Sequence, residues 1–275
     1  MRKQSGMTLS KLAEGLGWST SRLSNIEAGR RGTHLIDMVR LVGYCQADQA
    51  ALDRVVDIAK EGQTGFLVRP HVDAPPDGVR ALRASERKAA EIVTFESMLI
   101  PGLLQTPEYA RAVMLGSEVP PKAAESGVEL RMERQELLRG STPPDCTFFI
   151  HEAALHAWAG DWQIMADQML QLALRSAWRH ITIRLVPFAA GNRHEFRNAF
   201  VCMAFKEGLP VAYTETAAMS VLSERPEVVE KYHHAVKILN RLALDAQESR
   251  SEFARWADRY ERLRGQDGSG GTPLA

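Results

Sequence analysis

Residues 19–31 (STSRLSNIEAGRR) carry hydroxyl groups, one carboxamide and three guanidinium groups within a single short segment. Those groups can read DNA. Asn25 can make two hydrogen bonds to an adenine edge, and Thr20 and Ser21 can reach several bases or a thymine methyl. Arg22 can reach guanine or a phosphate, while Arg30 and Arg31 suit backbone phosphates, which set register without carrying sequence. The same composition also fits a solvated helix with a polar cap and a basic end, and pattern alone leaves both readings open.

A second run, HEAALH at 151–156, invites a zinc-hydrolase reading. That chemistry needs two histidines four residues apart on one helix face. Here the spacing is five, which at about 100° per residue turns the rings roughly 140° apart. The expected structure is a strand end followed by a helix start, with no metal. His233 and His234 are adjacent and point apart on any helix. No GxGxxG, GxxxxGK[ST] or GxSxG is present. The expectation is therefore a chain that is not an enzyme and holds no cofactor. Asp161, Trp158, Trp162 and Trp178 can line a ligand pocket but suit a core equally. Arg184, inside a strand, reads as outward and solvated.

The elements that must position the first segment are short helices. Leu9, Leu12, Ala13 and Leu16 share one helical face, with Thr8 as N-cap. Gly17-Trp18 ends that helix. Ser19 caps a second helix over 20–28, which turns Leu23 and Ile26 inward and closes at Gly29. Leu35, Met38, Val39 and Val42 form a third face, and residues 51–60 a fourth helix. Residues 61–84, rich in Gly and Pro, read as a linker. Beyond it, 85–98 reads as helical, Pro101-Gly102 as a turn and Thr106-Pro107-Glu108 as a helix start. CTFFI (146–150) and ITIRLV (181–186) read as strands, and 198–205 with 210–215 as a hairpin. Two helices fill 224–264, and 265–275 reads as a flexible tail.

Composition narrows the classes. Lys plus Arg number 34 and Asp plus Glu 34, so the formal charge is zero. Yet residues 1–44 hold seven basic and three acidic groups, so the remaining chain is acidic by the same margin. A basic first domain on a mildly acidic body is what phosphate contact by one domain requires. The three cysteines, Cys45, Cys146 and Cys202, are far apart, which suits reduced thiols in the cytoplasm. No apolar run is long enough for a membrane span or a signal peptide.

The segment TLSKLAEGLGWSTSRLSNIEAGRR resembles the Xre/lambda-repressor-type helix-turn-helix through Leu12-Ala13, Gly17, Ser19, Ile26-Glu27 and Gly29-Arg30. The resemblance implies base reading by Thr20, Ser21 and Asn25, with Arg22 as a fourth candidate. Ser19 and Arg30 fall on its phosphate-facing positions. Leu9 stands where that family usually has glutamine, and only MRKQSG precedes Met7, so either the start lies upstream or the first helix reads as truncated. Farther on, IPGLLQTPEYARAV, RMERQELL, EAAL, ITIRLVPF and AYTET resemble the effector domain of actinobacterial regulators of the WhiJ/Scr1 type, which implies a small BldB-like partner protein and an antitoxin-like arrangement.

The expected architecture is an all-α, lambda-repressor-like helix-turn-helix domain at 1–60, a linker at 61–84, a larger α+β domain at 85–264 and the tail. The expected function is a sequence-specific, homodimeric transcription regulator on double-stranded DNA. Two heads are expected because one contacts too few base pairs. The larger domain would sense a small molecule or a protein. The alternative is an antitoxin-like interaction module with weak or no autonomous DNA binding.

Overall fold

In a computed structural model, the structure describes Arg2 and residues 5–27, 35–55, 66–71, 77–117, 119–191 and 193–267. The chain divides into two units, 1–67 and 68–275.

Among its described residues ahead of β1, the first unit holds helices: α1 (Leu9–Leu16), α2 (Thr20–Glu27), α3 (Leu35–Tyr44) and α4, described over 49–55. Thr8 caps α1 by accepting the Lys11 N–H. Gly17 ends the helix with φ of 70°, a left-handed turn that glycine adopts cheaply, and its N–H and that of Trp18 satisfy carbonyls of the last turn. Leu12, Ala13, Leu16, Trp18, Leu23 and Cys45 form the core of this unit. On α3, Val42 is buried, whereas Val39 is exposed and Ile36 is 74% exposed. The apolar face expected there is therefore narrower than its spacing suggested.

The second unit is α+β, built on a seven-stranded mixed sheet in the order β1-β7-β6-β5-β2-β3-β4. The strands are β1 (Phe66–Pro70), β2 (Ala89–Glu96), β3 (Asp145–His151), β4 (Ile181–Val186), β5 (Phe200–Phe205), β6 (Val211–Glu215) and β7 (Met219–Ser223). The helices are α5 (Asp77–Glu86), α6 (Pro107–Gly116), α7 (Pro121–Gln135), the single turn α8 (Ala153–His156), α9 (Trp162–Arg175), α10 (Pro226–Leu242) and α11 (Ala246–Asp267). β2, β3 and β4 run parallel, joined through helices, while β5, β6 and β7 add antiparallel from the other side of β2. Ile92, Phe148, Ile183 and Met203 on one face pack with α9 and α11. Phe95, Phe149 and Cys202 on the other pack with α10.

Two segments depart from the sequence reading. Where 61–84 reads as a linker, the structure has β1 and most of α5, with the boundary between the units inside β1. Where 85–98 reads as helical, β2 runs down the middle of the sheet. A strand buried on both faces shows no alternation, so its apolar run cannot be told from a helix by period. The β-branched and aromatic residues Ile92, Val93, Thr94 and Phe95 were the better guide. The proposed tail begins as the end of α11, and 268–275 lie outside the described residues. All three cysteines are buried and unpaired.

Candidate nucleic-acid interface

α2 contributes only Leu23 to the buried core, with Ile26 packed partly against it. The opposite side of the helix is left to polar side chains. Ser19 accepts the Arg22 N–H and so caps the N-terminus. Thr20 and Ser21 are exposed in the first turn, and Asn25 is partly exposed. None of those three makes a hydrogen bond among the described residues, so each keeps its donors and acceptors for an outside partner.

Arg22 is engaged within its own domain. Its guanidinium pairs with Asp37 of α3 at 2.7 Å and lies 4.3 Å from the centre of the Trp18 ring. Asp37 also stands 4.0 Å from Arg40, whose guanidinium donates to the Leu16 carbonyl at the end of α1. These contacts tie the three helices together and turn Arg22 toward α3. Arg2 clamps Glu27 at the far end of α2 with two hydrogen bonds, 2.6 and 2.9 Å, and reaches the Met7 carbonyl. Residues ahead of Met7 thus help hold the helix that presents the polar side chains, a role the sequence reading did not assign to them. Arg30 and Arg31 lie outside the described residues.

The histidine run resolves as strand end and helix start. His151 closes β3, and its Nδ1 accepts the Ala153 N–H. His156 packs edge-on against Trp256. Among the described residues, no three His, Cys, Asp or Glu side chains come together as a metal site. No helix among them is long and apolar enough to cross a membrane. Arg184 departs from its expected solvated role: it donates to the carbonyls of Asn240, Ala243 and Leu244, closing the C-terminal end of α10.

The IPGLLQTPEY segment is held by a buried polar cradle. Gln135 donates to the Gly102 and Gln105 carbonyls, Gln168 to that of Leu104, and Arg175 to that of Leu103 and to Gln135 Oε1. Thr106 caps α6, with Pro107 in its first turn. Beside this turn opens a cavity of about 260 Å³ lined by both charged and apolar groups. Its lining comes from distant segments, and no local motif announced it.

Two paired helices whose polar face is unpartnered among the described residues fit a helix-turn-helix, and the family match below supports a DNA-binding regulator of that class. A helix-turn-helix domain family matches residues 1–55. Residues 79–255 match the family described as a domain of unknown function (DUF5753), and the chain belongs to that family. No curated protein matches. Among solved structures, the chromatin protein TrmBL2, archaeal and described as showing a novel mode of DNA binding, superposes with a TM-score of 0.32 at 11% identity over 87% of this chain and 88% of the other. At that level the likeness carries no argument about either domain.

Proposed function

We propose that the chain is a sequence-specific transcription regulator of the WhiJ/Scr1 type, acting as a homodimer in the cytoplasm. Thr20, Ser21 and Asn25 meet the major groove, and Ser19, Arg30 and Arg31 meet phosphates. The second unit senses a ligand or a partner such as a small BldB-like protein, and performs no catalysis. The observation that carries this reading is the outer face of α2, where the side chains of Thr20, Ser21 and Asn25 make no hydrogen bond among the described residues. A polar side chain of that kind costs little in water and becomes specific only against base edges.

The test is a gel shift of the full chain on the DNA upstream of its own gene, against random DNA at fixed salt. A complex that favours the upstream fragment supports the reading. Equal, weak binding to both would leave an antitoxin-like interaction module as the function.

A further inference from the structure

We propose that the cavity beside the 100–105 turn binds a small zwitterion, with an ammonium and a carboxylate on one compact molecule such as a free amino acid. Calling that molecule the effector rests on the regulator reading; the binding itself does not.

The cavity opens on the sheet face that carries Thr94, Phe148, Val201 and Tyr213, with Ile100–Leu103 over it. At about 260 Å³ it suits a molecule smaller than most drug-sized ligands. Phe95 stands opposite Phe200, and Phe200 opposite Thr214. Continuing that register one step past the end of β5 brings Glu96 and Glu215 to either side of Ala199. Neighbouring strands lie about 4.8 Å apart, so the two glutamate Cα atoms are roughly 10 Å apart. Both side chains project from the face that carries Thr94 and Tyr213, since residues two apart share a face.

The charges lining this cavity are unevenly matched. Arg134 is neutralised by Glu86 through two hydrogen bonds, 2.6 and 2.8 Å. Arg131 makes one hydrogen bond, to Gln105 Oε1 at 2.5 Å, and no ion pair among the described residues. Glu96 makes neither a hydrogen bond nor an ion pair among them. Glu215 accepts the Tyr213 hydroxyl at 2.7 Å and stands 4.0 Å from His71. One guanidinium fork and two glutamate carboxyl groups, that of Glu96 protonated near neutral pH, therefore face the space with capacity to spare. A cation alone would leave the Arg131 fork without a carboxylate to receive its free N–H groups, and an anion alone would leave the glutamate oxygens without a donor. A molecule bearing both signs satisfies all three, with its carboxylate on the Arg131 fork and its ammonium on the glutamates.

Burial, and then Glu215, push the Glu96 carboxyl up to about 8, against the opposing pull of Arg134 and Arg131. Docking of an ammonium converts the Glu96 carboxyl to carboxylate, and the proton passes to the buffer. Binding near neutral pH is thus accompanied by proton release.

The experiment uses the full chain and the twenty common amino acids, each at about 10 mM, read by thermal shift and then by calorimetry. Expected is a saturable rise in Tm with at least one amino acid, with proton release seen by comparing buffers of different ionisation enthalpy. The N-acetyl and C-amide forms of that amino acid, each lacking one charge, should bind at least about tenfold more weakly. Glu96→Gln and Arg131→Lys should do the same. No shift with any of the twenty, or equal binding by the capped forms, overturns the assignment without requiring any variant to fold. The gel shift without added amino acid separates the two readings. DNA binding without amino-acid binding sinks this pocket alone, and amino-acid binding without DNA binding sinks the regulator reading alone.

Discussion

At the scale of single residues, Asn25 and Arg22 sit three positions apart on α2 and have opposite fates. Asn25 has no side-chain hydrogen-bond partner among the described residues, and its carboxamide matches an adenine edge. Asn25→Ala should therefore lower the preference for the upstream fragment over random DNA by about 1–3 kcal/mol in competition gel shifts. Arg30→Ala should weaken both complexes alike, because a phosphate contact carries no sequence. Equal losses on the two DNAs for the Asn25 variant would remove it from the reading set. Arg22 is held by Asp37 and Trp18. Arg22→Ala should lower the stability of the first unit by about 1 kcal/mol in chemical denaturation, after discounting for its partial exposure. Discrimination should change little. A variant as stable as the parent that lost base preference would return Arg22 to the reading set.

At the scale of elements, the turns and caps were legible because they rest on local chemistry. Thr8, Ser19 and Thr106 all accept a backbone N–H where their types predict an N-cap, and Asp161, read only as a pocket candidate, does the same at the start of α9. Gly17 takes the left-handed conformation that a helix end requires. What could not be read was the cradle beneath the 100–105 turn, because its parts come from α7 and α9, far along the chain. Gln135 serves three partners at once. Gln135→Leu would leave two buried carbonyls and one guanidinium group short of a partner. The expected cost is about 2–4 kcal/mol in urea unfolding of the second unit. A loss below about 0.5 kcal/mol would mean that water replaces the glutamine.

At the scale of the whole molecule, charge and topology decide what local pattern leaves open. Glu96 is held up to about 8 in the fold against a usual 4.5. The unfolded chain therefore loses this proton first as pH rises. Stability from this group is full below about 4.5 and is lost as pH climbs through about 8. Glu215 on β6 steepens the effect, and Arg131 and Arg134 on α7 oppose it. Glu96→Gln should remove the decline, so its Tm should gain on the parent between about pH 5 and pH 9. A constant difference across that range would show that Glu96 ionises in the fold as it does in water. By itself, the sequence determined the helix pair, its polar face, the basic first domain and most strands of the second. Each of these follows from periodicity, capping chemistry and residue type over a dozen neighbours. Only the tertiary structure decided that 89–96 is a central strand, that Arg22 pairs with Asp37 of α3, and that Glu96, Arg131 and Glu215 share one cavity. Those outcomes depend on which distant surfaces exclude water together, and long-range packing leaves no local period to read.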